Sequence, residues 1–178
     1  AIMFGSLADN ESTFKNFLFA EDCINTIKIF QQLGVTIQFD PVKKMVKVNG
    51  VGLHGLTPPD KPLDVGNSGT SIRLITGILA AQSFATQITG DETIQVRPMK
   101  RIIYPLTNMG ASIDAATLPE KADLFPPLSI KPATELKGIK YSLPMASAQV
   151  KSAILLAGLY AKGKTTVVEP RRSRNHTE

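Results

Sequence analysis

Two stretches of this 178-residue chain place small residues and a hydroxyl immediately before an apolar run. The first, Leu63-Asp64-Val65-Gly66-Asn67-Ser68-Gly69-Thr70-Ser71-Ile72-Arg73, reads as a strand, a tight turn and the start of a helix. Free N–H groups in such a turn and in the first helical turn carry about +0.5 of a charge, and glycine lets a ligand approach that backbone closely. The chemistry this implies is anion binding. An ordinary loop with a Ser or Thr cap gives the same pattern without any ligand. The second stretch, Leu143-Pro144-Met145-Ala146-Ser147-Ala148-Gln149-Val150-Lys151-Ser152, has Ser147 as a natural cap. Gln149 and Lys151 then fall in the first turn, an amide and an ammonium ready to join whatever anion the backbone holds.

Cations cluster near both junctions. Arg97, Lys100 and Arg101 flank Pro98, and Arg171, Arg172 and Arg174 stand at the corresponding place further on. Arginine forks match phosphate and carboxylate oxygens in pairs, and each charge-assisted bond is worth about 1.5–3 kcal/mol, although solvated surface arginines have the same composition. The net charge of +5 favours an anionic partner without choosing among nucleic acid, phosphate esters and plain solubility. The run Gly158 to Thr165 fits the nucleotide-binding spacing G-x-x-x-x-G-K-T. It is rejected because that motif needs a strand before and a helix after it, whereas an apolar helix precedes and Thr165-Thr166-Val167-Val168 follows. Cys23 reads as a small core residue on a helix face, and His54 sits in a loop with no partner in view. One cysteine and two histidines exclude a disulfide framework and any credible metal cluster. No membrane-spanning run or basic signal flank is present, so a cytoplasmic setting is expected.

The elements that must hold these residues repeat. Gly-x-x-Ala recurs at Gly5, Gly77 and Gly158, each time inside an apolar helix, so three helices are expected to pack in a shared interior. Strands are expected over 12–18, 85–89 and 164–169, and second helices over 21–33 and 98–109. Gly34 and Gly110 end those second helices and lead into further strands. The unit is a βαβαββ repeat within an α/β (α+β) fold, in copies of about 1–58, 59–135 and 136–178. The first copy begins inside its first helix and the third stops where its second helix should start. A single lobe cut at both ends is therefore expected.

In this order, the Leu63 to Arg73 segment, Gly90-Asp91 followed by Arg97-Pro98-Met99, the Ala146 to Leu159 segment and Ser173-Arg174-Asn175-His176-Thr177-Glu178 resemble the bacterial EPSP synthase family along the whole chain. The resemblance implies two lobes, each of three βαβαββ units arranged as an inside-out α/β barrel, with substrates between them. It implies that Ser147, Ala148, Gln149 and Arg174 hold shikimate 3-phosphate. It also implies that Asn67, Gly69, Thr70, Arg97 and Gln149 face phosphoenolpyruvate. The family adds the shikimate 5-hydroxyl to phosphoenolpyruvate as its methylene carbon is protonated, and phosphate then leaves. No cofactor and no metal are implied, and a monomer is expected. The catalytic acid–base groups and the second lobe are expected outside this chain, which alone should be inactive. Asn175, where many relatives have Asp, is a mild departure.

Two other functions compete. A related enolpyruvyl transferase acting on UDP-N-acetylglucosamine shares the architecture, but the Ser147-Ala148-Gln149 and 173–178 segments point away from it. A basic repeat domain for nucleic acid is disfavoured because only 6% of residues are aromatic and Trp is absent, leaving few stacking platforms.

Overall fold

The computed structural model describes residues 1–119 and 121–174. In chain order the elements are α1 (Ile2–Leu7), β1 (Glu11–Lys15), α2 (Glu21–Gln32), β2 (Thr36–Asp40), β3 (Met45–Asn49), β4 (Leu63–Asp64), α3 (Gly69–Leu79), β5 (Thr86–Thr89), α4 (Glu92–Gln95), α5 (Lys100–Asn108), β6 (Ile113–Ala116), β7 (Phe125–Ile130), β8 (Lys140–Ser142), α6 (Ala148–Gly158) and β9 (Thr166–Val168). They form sheets ordered β1-β3-β2, β4-β5-β7-β6 and β8-β9. β4 with β5 and β8 with β9 are parallel pairs, each bridged by one helix, α3 or α6, while the pairs β2–β3 and β6–β7 are antiparallel. The fold is mixed α/β, as the alternation of helical and strand periods implies.

Local chemistry accounts for the matching joints. α2 and α5 close in the same way: Val35 N–H donates to the Phe30 carbonyl and Ala111 N–H to the Leu106 carbonyl. Gly34 and Gly110, at φ +90° and +106°, supply the left-handed residue that this cap requires. Between β2 and β3, the Asp40 carboxylate accepts from the Val42 and Lys43 amides, which fixes the turn. Val46 and Val48 then alternate inward from β3 and are fully buried.

α3 and α6 are the most closely packed helix pair. A Cβ on Gly77 would stand 2.3 Å from the Ala153 carbonyl oxygen, so this crossing needs glycine. α1 packs chiefly on α2 and β3, so the three Gly-x-x-Ala helices do not pack equally. Two expected elements are displaced. β1 ends at Lys15 because Asn16 turns left-handed at φ 56°. The expected helix over 98–109 starts at Lys100, and a short α4 precedes it, capped by Asp91, whose carboxylate accepts from the Thr93 and Ile94 amides. Cys23 is half-exposed in a groove rather than a core residue, and burial beside Asp22 pushes its thiol pKa up. No described helix is long and apolar enough to cross a membrane.

Candidate functional site

The first junction is rigid before any ligand arrives. Parallel pairing of β4 with β5 delivers the chain to Gly66, whose φ of +59° begins the turn. Ser68 caps α3 by accepting from the Ser71 amide, and it donates to the Ser71 hydroxyl at 2.8 Å. Ser71 in turn contacts the Thr26 hydroxyl of α2 at 3.0 Å. This buried hydroxyl chain holds the turn from behind. On its front face, Asn67 and Thr70 are exposed and Gly69 lies beneath two guanidinium groups. A Cβ at Gly69 would stand 2.9 Å from Arg97 Nη1 and 3.0 Å from Arg73 Nη1.

The second junction meets the first through one side chain. Ser147 caps α6 by accepting from the Val150 amide, and Ala148 opens the helix. Gln149 Oε1 accepts from Arg73 Nη1 at 3.0 Å, while Gln149 Nε2 donates to the Thr70 hydroxyl at 2.8 Å. Arg73 also donates to the Gly69 carbonyl at 2.9 Å and, through Nη2, to the Pro98 carbonyl. The helix N-termini of α3 and α6 are therefore joined across Arg73 and Gln149.

Positive charge accumulates there, with Asp91 and Asp123 nearby but unpaired with it. Burial pushes the Arg73 pKa down from its ordinary value, and Arg97 and Arg101 add to the shift. Among the described residues, no carboxylate lies within salt-bridge distance of Arg73, Arg97 or Arg101. Arg73, Arg101, Ser147 and Gln149 line a cavity of about 160 Å³. A second cavity of about 220 Å³ adjoins it, with Arg101 and Ser147 shared and Tyr104, Tyr141 and Leu143 making it more apolar. Such an arrangement holds an anion between two helix ends and a guanidinium cluster.

Of the residues singled out in the sequence, Gly69, Thr70, Arg97 and Gln149 meet here, Ser147 lines the same cavity, and Ala148 lies between Ser147 and Gln149 at the start of α6. Asn67 stands on the exposed turn. Arg174 is exposed on the segment after β9 and makes no hydrogen bond or ion pair with a described residue. The expectation for Lys151 fails. Its side chain is 4% exposed and pairs with Glu169 Oε2 at 2.9 Å, so it turns away from the cavity. Arg73 is the residue that sequence reasoning passed over. It lies one helical turn beyond Gly69, on the face that the turn presents, and that spacing was the available signal. The 175–178 part of the last motif, where a further helix is expected, lies outside the described residues.

A mixed α/β chain with two linked helix N-termini and an arginine cluster has the arrangement that suits small multiply charged anions. The chain belongs to the EPSP synthase (3-phosphoshikimate 1-carboxyvinyltransferase) family, whose model matches residues 1–178. It is 52% identical to the 3-phosphoshikimate 1-carboxyvinyltransferase of Hydrogenovibrio crunogenus over 178 residues, which is 100% of this chain and 39% of that protein. It is 53% identical to the protein of the same name from Thermodesulfovibrio yellowstonii, again over 100% of this chain and 40% of the relative. The structure of EPSP synthase from Acinetobacter baumannii superposes with a TM-score of 0.94 at 48% identity, covering 99% of this chain and 38% of the other. The chain thus spans about two fifths of the length of these relatives. These likenesses do not favour the UDP-sugar and nucleic-acid readings.

Proposed function

We propose that this chain is a large piece of the shikimate-phosphate-binding lobe of an enolpyruvyl transferase, three repeat units of which correspond to the three sheets. Shikimate 3-phosphate is held by Ser147, Ala148, Gln149 and Arg174, and phosphoenolpyruvate faces Asn67, Gly69, Thr70, Arg97 and Gln149. The observation that carries the reading is the Arg73–Gln149–Thr70 link, which brings two helix N-termini to one cationic cavity. Gln149, at the start of α6, bonds to both Arg73 and Thr70 of α3, which suits a residue shared between two substrates.

The reaction adds the 5-hydroxyl oxygen of shikimate 3-phosphate to the central carbon of phosphoenolpyruvate while the methylene carbon takes a proton. Phosphate then leaves, and loss of a proton from the new methyl group restores the double bond. Within this chain, Arg73, Arg97 and the helix termini stabilise phosphate and carboxylate charge. The smaller cavity has no carboxylate or imidazole among its described lining residues, and Asp123, which lines the adjoining one, is bonded to the Lys100 and Leu124 amides; the groups that move protons are assigned to a second lobe that closes over the site. The working protein is a monomer in the cytoplasm and needs no cofactor or metal.

Titration of shikimate 3-phosphate into the chain, followed by amide chemical shifts with inorganic phosphate as control, tests this. Saturable shifts at residues 67–73 and 147–151 beyond those caused by phosphate are expected. Shifts no larger than those from phosphate overturn the reading.

A further inference from the structure

Lys151 and Glu169 form an ion pair unlike the others. Their side chains are 4% and 13% exposed, whereas the other ion pairs among the described residues join side chains at least 38% exposed. Lys151 lies in the first turn of α6, one turn from the capping Ser147. A cation there opposes the helix dipole and loses its hydration. Well-packed apolar side chains of similar size serve stability equally well, so stability alone does not account for the pair.

The carboxylate of Glu169 faces two ways. Oε2 accepts from Lys151 Nζ at 2.9 Å, and Oε1 accepts from the Ser173 hydroxyl. Glu169 directly follows β9, whose end is tied to the α6 approach by the bond from the Leu143 amide to the Val168 carbonyl. One carboxylate therefore connects the N-terminal turn of α6 to the segment that carries Arg171, Arg172 and Arg174. Those three arginines are exposed, and no described partner fixes their direction.

We propose that Lys151, Glu169 and Ser173 are positioning residues. They hold residues 171–174 against the capped end of α6, so that Arg174 is presented to the phosphate ester read by Ser147 and Gln149. This deepens the proposed function and rests on it. The ion pair supplies direction to a chain segment that has no secondary structure of its own.

The test compares the unmodified chain with Glu169→Gln and with Lys151→Met combined with Glu169→Leu. The double substitution removes both charges of this pair together, so neither is left buried opposite a neutral partner. Both variants are expected to lower the ¹⁵N heteronuclear NOE of residues 171–174 without ligand, while residues 150–158 stay rigid. Both are expected to weaken shikimate 3-phosphate binding by about tenfold or more. The double variant should unfold at no lower temperature than the unmodified chain. A merely structural pair predicts that the double variant regains binding to within about threefold of the unmodified chain, and that result overturns the proposal. An unchanged NOE at 171–174 in both variants overturns it as well. If the unmodified chain fails to bind shikimate 3-phosphate, the proposed function has failed, and the NOE comparison alone then decides whether the three residues order the segment.

Discussion

Arg73 sits where a guanidinium is expensive: half-buried, beside Arg97 and Arg101, with carbonyl and amide oxygens as its hydrogen-bond acceptors. A bound anion relieves that repulsion, so ligand and arginine cluster should stabilise each other. Arg73→Met is expected to weaken shikimate 3-phosphate and phosphate binding by about 1.5–3 kcal/mol while leaving the unliganded chain as stable or more so. Calorimetric titration together with urea unfolding reads both effects, and equal affinity in the variant would refute the assignment. Gly69 acts by what it lacks. A methyl group there would stand 2.9 Å from Arg97 Nη1 and 3.0 Å from Arg73 Nη1, inside van der Waals contact. Both are ends of flexible side chains, so Gly69→Ala should fold normally but displace the guanidinium groups and weaken anion binding, phosphoenolpyruvate most. Glu169 carries a pH signature, since hydrogen bonds from Ser173 and Lys151 hold its carboxyl below the ordinary value of 4.5. A depressed folded-state pKa contributes stability above the unfolded value and loses it as pH falls through the folded one. The advantage of the unmodified chain over Glu169→Gln in urea midpoint should therefore be full at neutral pH and shrink below pH 4.5.

At the scale of elements, the α3–α6 crossing sets the distance between the two helix N-termini and hence the width of the cavity. Gly77 permits that approach, because its Cα lies against the Ala153 backbone, which cannot rotate aside. Gly77→Ala is expected to destabilise the chain by about 1–3 kcal/mol and to weaken shikimate 3-phosphate binding by moving Gln149 away from Arg73. Denaturant unfolding and the same titration check both, and a variant as stable as the original would show that the helices can slide. Much at this scale was legible in the sequence. The small-residue helices, the glycine caps at Gly34 and Gly110 and the Ser147 cap follow from local rules, and the structure forms them as read. Lys151 was not legible. A lysine in a first helical turn looks solvent-facing until the chain places Glu169, eighteen residues later, beneath it. Arg73 was missed for a similar reason, since its partner Gln149 is 76 residues distant and belongs to another unit. Short α4 was hidden because Asp91 reads equally well as a turn residue.

For the whole molecule, the proposed function separates binding from chemistry. Guanidinium groups, helix termini, an amide and hydroxyls surround the described cavity, and each stabilises negative charge. Enolpyruvyl transfer also needs a proton delivered to carbon and another removed, which these groups do not supply at neutral pH. The cavity is open on one side, so water competes with every charge–charge contact and Coulomb energies stay near their solvent-screened values. The purified chain, which spans about two fifths of its relatives, is therefore expected to bind shikimate 3-phosphate while releasing no phosphate from a mixture with phosphoenolpyruvate. Its affinity should fall as salt rises toward physiological strength, where the screening length is about 8 Å. A coupled phosphate-release assay run beside the titration separates the two steps. Binding without release supports the division of labour, whereas measurable release would mean that the acid–base groups lie within these 178 residues.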